Sequence, residues 1–454
     1  MSLPELEKKP ACSAGSLGNY LWSDPPKEHK WADCVHCGLC LEACPTYEQL
    51  GQEQHSPRGR VHLIKSVAEG KLKVNEVFAE PVFQCLDCRA CTTACPASVD
   101  VGGLIEEARG QVRQAIPLKG LKAWTSKFFL EGLFPHHGRL SAAGSLLKFY
   151  QKSGMQKMVR KTGMINIMPN HLVDMESIMP EIKTPVRKKY KQEKVIKAKG
   201  ETKRVVSILS GCIMDIMFSD INESTINVLT RNGNDVTIPQ NQTCCGALHV
   251  HAGDREMGRK LAKQNIEAFK NSEKVIVNAA GCGCMMKEYP ELFSDDPQWQ
   301  EKAKAFSAKV EDISKFLYDT GYEIPKAELK TRITYHDACH LAHGQGIRNE
   351  PRELLIHIPG VEMIQMPNSD RCCGSAGIYN LTNPEMAGAV LESKMANVPE
   401  NVEMISMGNP GCMLQMAAGV QKYGRSQKVV HTVQLLDWAY QKEEDGSGDQ
   451  DGAN

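Results

Sequence analysis

Two short runs of cysteine restrict what this chain can fold into more than any other feature. Cys34-Val-His-Cys37-Gly-Leu-Cys40-Leu-Glu-Ala-Cys44-Pro45 and Cys85-Leu-Asp-Cys88-Arg-Ala-Cys91-Thr-Thr-Ala-Cys95-Pro96 share one spacing, C-x2-C-x2-C-x3-C-P. In such a run three thiolates wrap one cubane, while the fourth, on the following helix, reaches the other cluster. The spacing therefore predicts two [4Fe–4S] clusters. Cys34, Cys37, Cys40 and Cys95 would hold the first, and Cys44, Cys85, Cys88 and Cys91 the second. Zinc also accepts four thiolates, but its sites pair C-x2-C units and do not use two four-cysteine runs with proline at both ends. Between the runs, Ser56-Pro57-Arg58-Gly59-Arg60 reads as a helical insertion with a basic rim. That rim is either a solvated face or a pair of charges, Arg58 and Arg60, that raise cluster potential.

The second half of the chain repeats itself. Cys212, Cys244-Cys245-Gly246 and Cys282 recur as Cys339, Cys372-Cys373-Gly374 and Cys412, at offsets of 127, 128 and 130 residues. Three landmarks at nearly one offset indicate two copies of one domain. A β-branched or apolar run precedes each landmark: Val205–Leu209, Val236–Pro239 and Lys274–Val277, then Ile333–Tyr335, Glu362–Met366 and Glu403–Met407. Helix-length segments such as Asp254–Asn271 and Pro384–Met395 separate them. Strands alternating with helices predict a parallel sheet, whose ligands sit at the carboxyl ends of the strands. Three loops per copy would then bring thiols to one point. His249, His251, His336, His340 and His343 flank these landmarks. They are candidates to ligate, to donate to sulfur or to bind a quinone headgroup, or they simply pack or cap.

The remaining segments connect. The expected organisation is a tail over residues 1–30, a cluster domain over 31–110, a helical connector and basic linker over 111–204, cysteine-rich domains over 205–325 and 326–442, and a disordered acidic tail over 443–454. The 454-residue length fits about three folded domains of ~150 residues. Cys12, alone in the first tail, reads as a free surface thiol. Leu118, Leu121, Trp124, Phe128, Phe129, Leu133 and Phe134 recur at near-helical spacing until Pro135 and Gly138 break the pattern. The favoured reading is a helical connector packed on its neighbours, with an amphipathic interface helix as the alternative. Lys183 to Arg204 holds ten Lys and Arg, a solvated linker. A formal net charge of +0 disfavours a nucleic-acid binder. The polar start and the absence of a long apolar run predict neither a signal peptide nor a membrane-spanning helix. Dense, grouped thiols then place the protein in the reducing cytoplasm.

A double cluster motif followed by two Cys…Cys-Cys-Gly…Cys domains resembles the glycolate oxidase iron–sulfur subunit family. It is also similar to the iron–sulfur subunits of heterodisulfide reductase and anaerobic glycerol-3-phosphate dehydrogenase. Ser56-Pro57-Arg58-Gly59-Arg60, Cys244-Cys245-Gly246-Ala247-Leu248-His249 and Asn409-Pro410-Gly411-Cys412 look most like the glycolate oxidase branch. The resemblance implies an α/β fold overall: a helical ferredoxin-like module, a helical linker and two tandem parallel α/β cysteine-rich domains. It also implies further clusters at Cys212, Cys244, Cys245 and Cys282, and at Cys339, Cys372, Cys373 and Cys412. In the heterodisulfide reductase branch a fifth thiolate completes each set as C-x-x-C. Here Cys284 comes one position early and Gln415 stands where the other fifth thiol would be.

No complete G-x-G-x-x-G or G-x4-G-K-[ST] occurs, so the sequence shows no site for flavin, nicotinamide or ATP. Hydride abstraction needs such a cofactor. The implied role is electron transfer from an FAD-dependent flavoprotein subunit, which oxidises glycolate or D-lactate, toward a quinone-type acceptor, with no catalytic residue on this chain. Peripheral attachment to the inner face of the cell membrane fits that role. Competing roles are disulfide reduction at a cysteine-rich cluster and a non-enzymatic redox sensor. Anaerobically purified protein should carry at least about eight irons per chain, since each cubane holds four. Tightly bound zinc in place of iron, measured by elemental analysis, would contradict the cluster reading.

Overall fold

Short parallel strands and capped helices build two domains that stand on one helical module. The computed structural model describes residues 18–446 apart from 22, 165–172, 174 and 175. Cys12 and residues 447–454 therefore lie outside the described residues, whereas Glu443 and Glu444, expected in the disordered tail, end the helix Thr432–Glu444 and pair with Arg231 at 3.1 Å and Lys199 at 2.8 Å.

The N-terminal module is helical. Its helices run Pro45–Leu50, Pro57–Ala68, Glu76–Gln84, Ala90–Thr93 and Val101–Ala115. Three start on side-chain caps: Ser56 accepts from Gly59 N, Asn75 from Phe78 N and Asp100 from Gly103 N. Such caps satisfy amides that the first turn leaves free. Val61, Ile64, Phe78, Val82, Leu104 and Ile105 form the core. Residues of the N-terminal segment join it. Tyr20 is buried edge-on to Phe78 and donates to Ile64 O at 2.9 Å, and Asn19 N donates to Val67 O at 3.0 Å. The fourth cysteines differ from expectation. Cys44 is the residue before helix Pro45–Leu50, and Cys95 follows helix Ala90–Thr93 in a turn, because the proline after each cysteine favours a helix start or a turn over a helix interior.

Each cysteine-rich copy is a four-stranded parallel sheet. Copy one pairs β1 (Arg204–Ile208), β2 (Asn234–Thr237), β3 (Val275–Val277) and β4 (Val310–Asp312) in the order β2-β1-β3-β4. Copy two repeats this with β5 (Thr331–Tyr335), β6 (Val361–Met363), β7 (Met404–Met407) and β8 (Lys428–His431), ordered β6-β5-β7-β8. The expected α/β class with tandem parallel domains is thus observed. β4 and β8 were not expected from the sequence, since no cysteine landmark follows either. Val206, Ile208, Val236, Val275, Ile276, Val277 and Ile333 are buried in a core that both copies share.

The copies meet through their third cysteine loops. Ala280 N donates to Gly408 O at 3.0 Å, Gly281 N to Asn409 Oδ1 at 3.1 Å, and the His431 ring contacts Asn278 O at 2.9 Å. Helix Val101–Ala115 ties the N-terminal module to copy one. Arg109 donates to His251 O at 3.0 Å and Arg113 pairs with Asp254 at 3.1 Å. Gly253 must be glycine here: its φ is +81°, and a Cβ would lie 2.5 Å from Arg109 O.

Of the two connecting segments, the first meets expectation on one side only and the second departs from it. The stretch after Leu118 is helical (Gly120–Ser126, then a π-helix Lys127–Leu133), and one side of it packs as expected: Leu130 is buried and Leu133 and Phe134 lie against the shared core, whereas Leu118, Leu121, Trp124, Phe128 and Phe129 are exposed on the other. Pro135 does end the pattern. Gly138 instead sits inside the next helix, His137–Lys152, where its first-turn position makes glycine cheap. The basic linker is pinned, not free. Val186 is buried, Ile196 pairs antiparallel with Val236, and Lys197 pairs with Asp235 at 2.8 Å. This covers β2, an edge strand. Replacing fully buried Phe269 by Ala should cost about 3–5 kcal/mol. Phe128→Ala should cost under about 0.5 kcal/mol. Urea unfolding of the anaerobic protein checks both, and equal costs would contradict the exposure of the connector.

Candidate functional site

The second predicted thiol set converges. Cys44, Cys85, Cys88 and Cys91 line one cavity together with Thr46, Arg60, Asp87 and Gly102. Gly102 leaves room there, since a Cβ would lie about 3 Å from the Arg89 side chain and the Asp87 carboxylate. Arg60 is buried, donates to Pro81 O at 2.7 Å and Thr46 Oγ1 at 3.0 Å, and lies 3.8 Å from Cys44 Sγ. Burial pushes the Cys85 thiol up, while Arg60 and Arg109 pull it down. Four sulfurs around a cavity with an enclosed cation fit an anionic iron–sulfur cluster.

Both cysteine runs share a backbone signature. His36 and Gly38 have φ of 56° and 89°, and Asp87 and Arg89, at the same places in the second run, have 52° and 61°. Left-handed residues turn peptide N–H groups toward a common side, the geometry of anion and cluster cradles. The runs differ in exposure. Cys37 is exposed and Cys34, Cys40 and Cys95 are half-buried, with Cys34 and Cys95 packed on the module core. Cys88, by contrast, shares a buried apolar cluster with Cys372, Leu86, Tyr379 and Met386, and Cys339 packs against it. Arg58 is half-buried, bonded to Glu53 at 2.7 Å and to His36 O at 3.1 Å. Of the two arginines of the basic rim, Arg60 alone is buried against sulfur.

In both cysteine-rich copies the three loops after the strands bring four thiols together. Cys212 Sγ donates to Cys244 Sγ at 3.6 Å, and the contacts continue to Cys245 and then Cys282. Copy two links Cys339, Cys372, Cys373 and Cys412 in the same order. The glycines of Cys-Cys-Gly have φ of 91° in both copies, and their amides point at sulfur: Gly246 N to Cys244 at 3.5 Å and Gly374 N to Cys372 at 3.4 Å. Neighbouring sulfur and burial push Cys212 well up. Such crowded thiols ionise readily only when a metal balances their charge. Gln415 does not enter the set. It accepts from Asn380 at 3.1 Å and so braces the loop after Gly374.

The histidines divide. His336 is fully buried, and its ring nitrogen lies within 4.8 Å of the Cys373 and Cys412 sulfurs. The ring of His340 is 3.6 Å from Cys339 Sγ. His249 contacts Leu130 O at 2.6 Å, a packing role that holds the connector to copy one. His343 bridges Thr93 and Asp370 O, both at 3.0 Å. His251 lies 3.1 Å from both Asp87 and Glu106; burial alone would lower it, but the two carboxylates raise it to about 9.

The sequence did not reveal the destination of Cys284. It leaves the copy-one set and lies 3.6 Å from Arg89, whose guanidinium also pairs with Glu106 at 3.1 Å and with Glu288. Burial pushes the Cys284 thiol up to about 11 although Arg89 opposes it. Its one-residue advance in the C-x-C was the available signal: on a helix, two positions turn a side chain well away from its predecessor's direction.

Comparison with known proteins agrees with this geometry. A 4Fe-4S dicluster domain model matches residues 30–99, a glycolate oxidase iron–sulfur subunit linker-region model matches 121–179, and a cysteine-rich domain model matches 206–287 and 333–417. The chain is 42% identical over 417 residues to the probable glycolate oxidase iron–sulfur subunit of Bacillus subtilis, covering 90% of this chain and 94% of that protein. It is 30% identical over 420 residues to the glycolate oxidase iron–sulfur subunit of Escherichia coli, with 90% and 94% covered. Lactate utilization protein A of Oceanobacillus iheyensis is 34% identical over 233 residues, 51% of this chain and 96% of that protein. The dicluster match, the linker match, both cysteine-rich matches and the near full-length relatives agree, and the chain belongs to the glycolate oxidase iron–sulfur subunit family.

Proposed function

We propose that this chain is the electron-transfer subunit of a 2-hydroxy-acid oxidoreductase. It would receive electrons from an FAD-dependent flavoprotein that oxidises glycolate, or D-lactate, and deliver them to a quinone-type acceptor on the cytoplasmic side of a membrane. The observation that carries the reading is the succession of thiol sets from the surface inward: exposed Cys37, then buried Cys88 in one apolar cluster with Cys372 of copy two. Iron–sulfur clusters exchange single electrons, which a flavin can supply one at a time.

The residue roles follow. Cys34, Cys37, Cys40 and Cys95 hold one cluster, and Cys44, Cys85, Cys88 and Cys91 the other. Cys212, Cys244, Cys245 and Cys282, and Cys339, Cys372, Cys373 and Cys412, hold further metal. Arg60 offsets negative charge at Cys44 and Cys85, and the Gly246 and Gly374 amides do the same in the two copies. Val35 and Leu39, exposed on either side of Cys37, form the face offered to the flavoprotein. Disulfide reduction is disfavoured by the missing fifth thiol of copy two, where Gln415 is otherwise engaged.

The isolated chain should accept electrons from dithionite yet fail to oxidise glycolate or D-lactate. Adding the flavoprotein should restore bleaching of the visible absorbance by substrate. Cys40→Ser or Cys91→Ser should block reduction of an artificial quinone while substrate still reduces the flavin. Substrate oxidation by the flavin-free chain would overturn the division of labour.

A further inference from the structure

The charges of this chain cancel overall but not locally. Residues 118–164 hold nine Lys and Arg against one acid, Glu131. The same stretch carries ten of the nineteen large apolar side chains that are exposed among the described residues. Leu121, Trp124, Phe128 and Phe129 are 75%, 63%, 49% and 45% exposed. The three rings touch in series: Trp124 stacks on Phe128 at 5.5 Å, and Phe128 meets Phe129 edge-on at 5.1 Å. Helix His137–Lys152 continues the pattern. Leu140 and Gly144 face inward, and a Cβ on Gly144 would strike Ile216 of copy one at 2.7 Å. At 100° per residue Leu146 and Phe149 fall on the opposite side, where both are exposed. Met155, Met158 and Met164 are exposed beyond it.

Scattered apolar residues on a surface need no explanation, but a concentrated patch marks something that covers it. Its surroundings identify the covering. Lys119, Lys127, Lys152, Lys157 and Lys161 are exposed around the apolar side chains. Aromatic and aliphatic groups among lysines match the boundary between acyl chains and anionic headgroups. We propose that the connector is a membrane-docking face. Leu121, Trp124, Phe128 and Phe129 enter the headgroup–acyl boundary of a bilayer containing anionic phospholipid, and the lysines contact its phosphates. No helix among the described residues is long and apolar enough to cross a membrane, so the contact is peripheral.

The flavoprotein is the less fitting occupant. The segment that follows Cys40 lies against copy two, where Arg371 donates to Glu42 O and pairs with Glu48 at 2.6 Å. The connector packs on copy one instead, through Leu130 O to His249 and Pro135 O to Thr243 at 3.0 Å. The two faces therefore serve different neighbours. The inference deepens the membrane reading above and rests on it for its purpose, but the binding it predicts requires no electron transfer.

Flotation of the full, cluster-loaded chain with vesicles tests it. Vesicles of phosphatidylcholine with about one-third phosphatidylglycerol should carry the protein, with binding about tenfold weaker to pure phosphatidylcholine vesicles. Trp124→Ser with Phe128→Ser, and Lys119→Glu with Lys127→Glu, should each reduce partition about tenfold or more. Iron content and visible absorbance should stay unchanged, which excludes misfolding. Leu39→Ser should leave partition unaltered. Equal binding to both vesicle types, no binding by the wild-type chain, or unaltered double variants would each overturn the proposal. So would a Trp124/Phe128 variant that loses the flavoprotein on co-elution or turns a dimer into a monomer, since the face would then be a protein interface. Because no acceptor is present, failure of vesicle binding leaves the electron-transfer role standing, and failure of quinone reduction leaves the docking face standing.

Discussion

A guanidinium enclosed in protein has to face negative charge, and Arg60 faces sulfur. Its three donor contacts hold Pro81 O, Thr46 and Cys44, and so fasten helix Pro57–Ala68 to both neighbouring segments of the second thiol set. An unpaired buried charge costs several kcal/mol, so the site and the helix that covers it are stable only together. The same logic recurs at Arg89, which joins Asp87 and Glu106 of its own module to Glu288 and Cys284 of copy one. Charge compensation thus sets where the domains sit, and apolar burial fills the space between.

Within each copy the governing geometry is different. Parallel strands deliver their following loops to one edge, so three loops separated by tens of residues place their cysteines side by side. The shared third-loop contacts, Ala280 to Gly408 and Gly281 to Asn409, then turn the two edges toward one another. Copy two lies against the N-terminal module at Cys88, whereas copy one touches it through Arg109, Arg113 and Arg89. One duplicated fold has thereby acquired two distinct relations to the same neighbour.

Much of this was legible in the sequence, because thiol spacing and repeat offset are local or periodic signals. The second thiol set and the six strands before cysteine landmarks were readable for that reason. What escaped depended on tertiary partners. Arg58 and Arg60 sit two apart in one motif, yet one keeps its side chain partly in solvent and the other is enclosed; packing against Pro81 and Thr46 separates them. The apolar periodicity of Leu121 to Phe129 announced a helix but could not say which way its stripe faced, and it faces solvent. β4 is three residues long, too short to show any period. Cys284 looked like a displaced ligand until Arg89 appeared beside it.

The position of Arg89 also bears on the order in which the molecule can be completed. A ribosome delivers Arg89 and Cys88 long before Cys284, Glu288 and Cys372, and domains tend to close in the order they emerge, at about 5–20 residues per second. For that interval, on the order of ten seconds or more, water stands in for the missing partners. The loop that bears Cys88 stays accessible from outside until copy two arrives to cover it. The approach to Cys88 is therefore widest during synthesis, and the finished chain narrows it with its own C-terminal half while Cys85 and Cys91 stay half-buried.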